Sequence, residues 1–355
     1  MPQAVWLGCF ILALFRPLLS SPLFLSAFVL IGNVYASSSL IITPFEAQYL
    51  HTKEIGSHLY QIDHQTGGLN NLICSYVIKG ARTILVESGP TNSVPNLLAG
   101  LKELNVDLGS VEYVAVTHVH LDHGGGAGTL LKHLPNAKVI VHPRGAPHLI
   151  DPERLWPSSR SVLGFVAEIF GKPEPVPKER IITLTEGTFD LDEGGKLAVT
   201  ETVGHASHNL SFHESFNNGV FPGDAAGTYF PEFEVVAPTT PPPFYLPAAL
   251  ASLDKLISLK PSVLYYSHFG KADNAVQRLE DYKAQLQLWA RIAEEGVLSN
   301  QSLKEIRSRI LKEDPVMRVL ADFIKAHKIY SITVLENCVD GFVEYAKKTI
   351  AKQGS

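Results

Sequence analysis

Between about residues 45 and 270, the hydrophobic positions fall into short apolar runs separated by Gly, Asn and Pro. Such runs are typical of strands, whereas apolar residues three or four positions apart are typical of helices. Strands are predicted over His58–Asp63, Asn71–Ile78, Arg82–Glu87, Val111–Thr117, Lys138–His142, Gly219–Pro222 and Ser262–Tyr266, and others follow Ile181. Helices are predicted over Asn92–Leu104, Ala127–Leu134 and Pro247–Leu259. The alternation of strand and helix predicts a layered α/β architecture.

Two segments break this alternation. Pro143–Lys178 is rich in Pro and mixes helix and loop signals, so we expect a surface insertion near the mouth of a site. Pro238–Pro243 is a stiff, proline-rich loop that suits neither a helix nor a central strand. We interpret the second segment as a connection.

Beyond Gly270 the pattern is helical throughout. The apolar residues of the first helix lie along one stripe, formed by Val276, Leu279, Tyr282, Leu286, Trp289 and Ile292. Ser302 and Glu305 form a predicted capping box, and Asp314-Pro315 is a favourable start for the next helix. We therefore predict three parts: a hydrophobic segment at 1–42, an α/β domain at 43–270 and a C-terminal helical extension at 271–355.

The hydrophobic amino-terminal segment has three interpretations. From Val5 to Ile31 the only charged residue is Arg16, and Leu18–Ile31 resembles a signal-peptide core. The stretch 5–31 is also long enough to associate with a membrane as an anchor. Alternatively, the start is mis-assigned. The protein is exported or anchored if residues 1–36 are genuine, and cytoplasmic if they are not.

Composition excludes several classes of protein. Of the 355 residues, 45% are hydrophobic and 18% charged, which is typical of a folded enzyme and not of a disordered chain. The net charge of −5 offers no basic surface for nucleic acid, so we expect none as a partner. With only Cys9, Cys74 and Cys338, no disulfide framework is expected, and Cys74 is interpreted as a buried apolar residue.

Four potential metal ligands stand within six positions at the end of the predicted strand Val111–Thr117: His118, His120, Asp122 and His123. Alternate residues of an extended segment point the same way, so His118 and His120 converge on one ion. Imidazoles suit zinc or iron, and a neighbouring carboxylate adds the negative charge that a second cation requires. The following glycines, 124–126, allow the chain to turn and to approach the ions closely.

This arrangement resembles the HxHxDH signature of the metallo-β-lactamase superfamily, and every letter of the motif is matched. Three later segments resemble that family's remaining ligand positions: Thr202–His208 with His205, Gly223-Asp224, and Ser267–Gly270 with His268. The resemblance covers about residues 45 to 270. It implies an αββα sandwich in which His118, His120 and His205 hold one metal, Asp122, His123 and His268 hold the other, and Asp224 bridges both.

The resemblance also implies a mechanism. Two zinc ions, with iron or manganese as alternatives, would share a hydroxide that attacks an ester-like carbonyl. Asp122 would relay a proton to the leaving group, so Asp122 and Asp224 are the predicted catalytic carboxylates. The expected substrate is a small molecule, a thioester or a lactone. The alternative is a mononuclear iron dioxygenase of the persulfide type, which shares much of the motif.

Departures within the superfamily narrow the interpretation. Class B β-lactamases commonly carry a cysteine where this chain has Asp224, so antibiotic hydrolysis is not favoured. Flavodiiron proteins carry a glutamate where this chain has His120, which disfavours their redox role. What remains resembles glyoxalase II-like thioesterases, lactonases and uncharacterised hydrolases, archaeal ones among them, the last partly through the Pro-rich Val236–Phe244 segment.

Other residues near these motifs have weaker roles in the prediction. Tyr229 and Tyr265 are close enough in sequence to ligands to donate a hydrogen bond to substrate. His208 is interpreted as a group that supports a ligand, and His142, His148 and His213 as structural residues. The C-terminal helices either cover one side of the pocket or mediate formation of a homodimer.

Overall fold

Two β-sheets packed face to face form the centre of the computed structural model, which describes residues 51–353. The first sheet has seven strands in the order of the chain: β1 Thr52–Gly56, β2 Leu59–Asp63, β3 Cys74–Ile78, β4 Thr83–Val86, β5 Val111–Ala115, β6 Lys138–Val141 and β7 Ile181–Thr183. Strands β1 to β4 pair antiparallel, and β4 to β7 pair parallel. The helices between the parallel strands therefore lie on the outer face of this sheet.

The second sheet has six strands: β8 Glu186–Asp190, β9 Lys196–Glu201, β10 Leu210–Glu214, β11 Gly219–Phe221, β14 Val263–Tyr266 and β15 Gly270–Asp273. Their order is β15-β14-β11-β10-β9-β8, and only β11 and β14 pair parallel. A separate hairpin consists of β12 Thr228–Phe230 and β13 Val235–Ala237.

Within residues 51–353, ten α-helices surround the sheets. They are α1 Val94–Glu103, α2 Ala127–Leu131, α3 Ala146–Ile150, α4 Leu155–Leu163, α5 Phe165–Phe170, α6 Leu246–Ser258, α7 Ala275–Leu298, α8 Leu303–Glu313, α9 Pro315–Ala326 and α10 Asn337–Gln353. A π-helical turn, Ser331–Glu336, precedes α10. Among residues 51–353, none of the helices combines the length and the apolar character needed to cross a bilayer.

The hydrophobic core has three layers, which follow from the alternation of side chains along each strand. In β3, Tyr76 and Ile78 face the second sheet, whereas Val77 faces the helical layer that contains α1 and α2. A third cluster joins the outer face of the second sheet to α6 and the C-terminal helices. The predicted αββα sandwich is confirmed.

The ends of the elements differ in places from the predictions. The capping box at Ser302 and Glu305 is present, and the Asp314 side chain caps the start of α9. Strand β15 continues the sandwich to Asp273, so the chain beyond Gly270 is not helical throughout. The predicted insertion Pro143–Lys178 contains α3, α4 and α5. The predicted signal or anchor segment at 1–42, with its membrane contact at 5–31, lies outside the described residues.

Candidate metal centre

The seven predicted ligands lie together where strands of the sandwich end. His118, His120, Asp122 and His123 occupy the connection between β5 and α2. The other three are His205 in the turn from β9 to β10, Asp224 three residues after β11, and His268 two residues after β14. Each apolar strand is anchored in the core, so the polar residue that follows it emerges at the same edge of the sandwich. We call these seven residues the ligand edge.

Small residues permit the close backbone packing at this edge. A Cβ atom at Gly125 would lie 2.2 Å from the carbonyl oxygen of Leu121. Gly223 has a φ of +54°, and a Cβ atom there would lie 2.6 Å from Oγ1 of Thr117. Gly223 thus has the left-handed backbone that favours glycine, whereas glycines 124–126, which were predicted to allow a turn, do not have a positive φ. At Gly125, glycine is required because a side chain would collide with the neighbouring backbone.

The first predicted set of ligands faces a common point. Nδ1 of His120 lies 3.0 Å from Nε2 of His118 and 3.1 Å from Nε2 of His205. Tetrahedral ligands bound at 2.0–2.2 Å to one zinc ion stand about 3.4 Å apart. The three ring nitrogens therefore have a spacing that one ion would accommodate.

The second set converges in the same way. Nε2 of His268 lies 3.4 Å from Oδ2 of Asp122, and Nε2 of His123 lies 3.4 Å from Oδ1 of Asp224. The potential ligand atoms of Asp122, His123 and His268 all lie within 4.8 Å of one another. Nε2 of His123 is also buried without a hydrogen-bond partner among the described residues, as expected of a nitrogen directed at a cation.

Asp224 stands between the two sets. Its Oδ2 lies 3.6 Å from Nε2 of His205, and its Oδ1 faces His123 and lies 3.9 Å from Nε2 of His268. One carboxylate thus presents a different oxygen to each set, which is the arrangement required of a bridging ligand.

Hydrogen bonds to the opposite ring nitrogens fix the orientation of four histidines. Nδ1 of His123 donates to Oε1 of Glu87 at 2.9 Å, and Nδ1 of His205 donates to the carbonyl oxygen of Thr239 at 2.8 Å. Nδ1 of His268 lies 3.4 Å from the carbonyl oxygen of Leu72. Nδ1 of His118 lies 3.0 Å from Oγ1 of Thr117. In each ring the tautomer that donates from Nδ1 leaves Nε2 free to bind a metal.

Burial and neighbouring charges shift the titration of the ligands. Burial, together with the adjacent imidazoles, holds the pKa of His118 well below its usual range and lowers the pKa of His120 to about 3. Both rings are therefore neutral at neutral pH, the form that binds metals. Burial alone would raise the pKa of Asp122, but His123 and His268 outweigh it and lower that pKa to about 2.

The second set has excess negative charge. Burial opposes protonation of His123, but Asp224, Glu87 and Asp122 outweigh it and raise its pKa well above the usual value. In the protein without metal, a proton on His123 thus offsets the buried carboxylates. A divalent cation would offset them better, because buried charges require compensation. The donor set fits two metal ions.

A family model described as the metallo-beta-lactamase superfamily matches residues 73–268, which is more than half of the chain. The chain belongs to the metallo-β-lactamase superfamily. Members of this superfamily are generally metal-dependent hydrolases, and they bind zinc or, in some cases, iron. The resemblance drawn from the HxHxDH motif is confirmed.

Individual relatives within the superfamily are distant. The metallo-beta-lactamase fold-containing protein ST1585 of Sulfurisphaera tokodaii is 28% identical over 243 residues, which cover 67% of this chain and 85% of ST1585. The crystal structure of ST1585 superposes with a TM-score of 0.52 at 29% identity, covering 61% of this chain and 80% of that one.

Two further relatives carry names that describe an activity. Thioesterase pkgB of Emericella nidulans is 25% identical over 271 residues, covering 72% of this chain and 65% of pkgB. N-acyl homoserine lactonase AttM of Azorhizobium caulinodans is 29% identical over 115 residues, covering 32% of this chain and 40% of AttM.

Glu87 is a functional candidate that the sequence interpretation missed. It is fully buried directly after β4, with a positive φ of 69°. Besides His123, its carboxylate accepts hydrogen bonds from the backbone N–H and Oγ1 of Thr117 and, at 3.0 Å, from Oγ of Ser267. Glu87 thus links β4 to the loop after β5 and the turn after β14. A carboxylate at the end of an apolar strand next to β5 was the available signal.

The structure places neither predicted substrate-binding tyrosine at the cavity. Tyr265 is fully buried between the sheets, and its hydroxyl lies 3.4 Å from Oε1 of Glu214. The ring of Tyr229 stacks on Tyr266 at a centroid distance of 5.3 Å, with Arg278 over it at 5.0 Å. Neither side chain lines the cavity at the ligand edge, so both predictions are corrected: the rings are packing residues.

Other histidines that the sequence analysis considered do not join a ligand set. His208 lies next to the first set, with its ring centroid 5.9 Å from that of His120, and its buried Nδ1 has no hydrogen-bond partner among the described residues. His142 pairs with Glu201 at 2.7 Å. His213 pairs with Asn218 at 2.8 Å, in agreement with a structural role.

A cavity of about 260 Å³ opens onto the ligand edge, and His120, Asp122, His205, Asp224 and His268 are among its lining residues. Its opposite side consists of residues from α4 and from the chain around the π-helical turn. The insertion Pro143–Lys178, which was predicted to lie near the mouth of a site, therefore borders this cavity. The C-terminal segment covers one side of the pocket, as one of the two alternatives expected.

Proposed function

We propose that this protein is a hydrolase with two metal ions, zinc or alternatively iron or manganese, that cleaves a small thioester or lactone. The observation that supports this proposal is the convergence of seven ligand side chains on two adjacent positions beside a cavity. The names of the relatives pkgB and AttM, a thioesterase and a lactonase, favour the same bond classes.

The chemistry divides between the bound ions and the chain. Divalent ions, when bound, lower the pKa of coordinated water from near 16 towards about 7 and polarise a carbonyl oxygen. His118, His120 and His205 would hold one ion, and Asp122, His123 and His268 the other. Asp224 would bridge them through its two oxygens.

Asp122 is the best-placed carboxylate for proton transfer. Its side chain lines the cavity and keeps 18% of its surface exposed, whereas that of Asp224 keeps 8%. A carboxylate in contact with both the ligand edge and the cavity can accept a proton and deliver it to a departing thiol or alcohol. Glu87 would maintain the orientation of His123 and would not itself contact the substrate.

The test combines metal analysis with turnover. Purified protein should contain two metal ions per chain and hydrolyse members of a thioester and lactone panel. His120→Ala and Asp224→Ala should lose metal and activity together, whereas His133→Ala, which removes an exposed imidazole, should retain both. Absence of metal, or unchanged turnover in both ligand variants, would contradict the proposal. One iron per chain with oxygen consumption would favour the dioxygenase instead.

A further inference from the structure

Helix α4 presents apolar side chains to the cavity without burying them fully. Leu155, Val162 and Leu163 line the cavity, yet no residue of this nine-residue helix is buried, and Val162 remains 55% exposed. Exposed apolar groups that cluster at the mouth of a pocket mark a surface that another apolar group covers. This surface is continuous with the cavity beside the ligand edge.

The interior of the cavity is also apolar. Leu72, Ile73 and Leu121 form its buried lining next to the ligand edge, and Phe170 of α5 adjoins them. On the C-terminal side, Ile329 and Val334 add apolar groups to the lining, beside Tyr330, Thr333 and Asn337. In the part of the chain that the structure describes, the lining contains no Lys or Arg, and its charged groups are those of the ligand edge.

We propose that this cavity binds an uncharged aliphatic chain of the substrate, covered by α4 and by the segment around the π-helical turn. The inference rests on the proposed function only in placing the scissile group at the ligand edge. The absence of lining cations disfavours an anionic group inside the cavity, because a buried anion would lack compensation.

The volume limits the length of the chain. A methylene is similar in size to a water molecule, which occupies about 30 Å³ of liquid volume. Because the metal ions and the scissile group would take part of the cavity of about 260 Å³, the remainder holds a chain of at most about eight carbons. Each buried methylene should strengthen binding about four-fold until the cavity is full. Longer chains should gain nothing further.

Straight-chain alcohols from 1-butanol to 1-decanol test this with the metal-loaded, full-length protein. We expect the dissociation constant, measured by calorimetry, to fall about four-fold per methylene up to about 1-octanol and then to level off. Ser159→Phe, which places a ring in the cavity, should move that limit to shorter chains, and Leu155→Ala should move it to longer ones. Ser161→Phe is the matched control, since Ser161 is exposed on the same helix and does not line the cavity.

Affinities that do not depend on chain length, or a limit that Ser159→Phe and Leu155→Ala both leave unchanged, would overturn the inference. Thermal unfolding of each variant shows whether it is folded. Turnover of the thioester and lactone panel in the same preparations separates the two proposals. Binding that depends on chain length, without turnover, would support the aliphatic site and contradict the hydrolase proposal. Turnover with binding that does not depend on chain length would support the hydrolase proposal and contradict the aliphatic site.

Discussion

The ligand edge and the opposite wall of the cavity are built in contrasting ways. At the ligand edge, polar side chains follow strands of the central sandwich, and four of its histidines are oriented by hydrogen bonds such as that from His123 to Glu87. The opposite wall consists of α4, the π-helical turn and the start of α10, which come from the insertion and the C-terminal extension. Its side chains are mostly apolar and, in α4, incompletely buried.

The difference separates two functions within one site. A reaction centre needs atoms held within a few tenths of an ångström, which a network of hydrogen bonds on rigid strands provides. A surface that selects substrates by apolar contact tolerates mobility and replacement, because hydrophobic attraction is non-directional. We therefore expect changes at the ligand edge to abolish turnover for every substrate. Changes in the wall should alter only which substrate is preferred.

The largest expected effect comes from the bridging carboxylate. Asp224→Asn preserves the shape of the side chain but removes the negative charge shared by both ligand sets. Several kcal/mol of charge stabilisation would be lost, so kcat should fall by about 1,000-fold or more for short-chain and long-chain substrates alike. Steady-state kinetics with metal analysis checks this. A decrease limited to long-chain substrates would contradict the division between edge and wall.

A smaller effect is expected from Glu87, which contacts the ligand His123 but does not line the cavity. Glu87→Gln keeps the size of the side chain while removing the charge that His123 and Thr117 contact. Loss of such a supporting partner typically lowers metal affinity or activity by about 10- to 100-fold. Metal titration against a competing chelator measures the change.

Glu214→Gln is the matched control for Glu87→Gln, since Glu214 is also a buried carboxylate but contacts Asn217 and Gly219 instead of a ligand. If both variants lowered metal affinity equally, the effect would be one of general destabilisation and not of positioning.

The same contrast explains what the sequence could predict. Four of the ligands lie within six positions of the chain, so their type and spacing suffice to predict a metal site: His118, His120, Asp122 and His123. His205, Asp224 and His268 required the family resemblance, because only the pairing of distant strands brings them to the first cluster. The alternation of strands and helices predicted a layered α/β architecture, and the family resemblance specified it as an αββα sandwich.

The wall of the cavity had no comparable signal. Leu155, Val162 and Val334 have the same sequence character as core residues, and only tertiary structure shows that they border a cavity. Tyr265 illustrates a wrong positive prediction. Its proximity in sequence to His268 suggested a contact with substrate, but the alternation of side chains along β14 directs the ring between the sheets. Sequence patterns thus indicated which residues form the ligand edge, but not which residues form the opposite wall of the cavity.

The smallest expected effect comes from Val162, which lies at the mouth of the cavity. Val162→Ser removes an exposed apolar group from α4 and leaves all ligands untouched. Loss of roughly one methylene's worth of apolar contact corresponds to about 0.8 kcal/mol, so KM for an eight-carbon substrate should rise about four-fold. Metal content and kcat for a two-carbon substrate should not change, because neither depends on contacts at the mouth. An equal change in kcat for both substrates would mean that α4 also positions the ligand edge, and the two regions would then act as one unit.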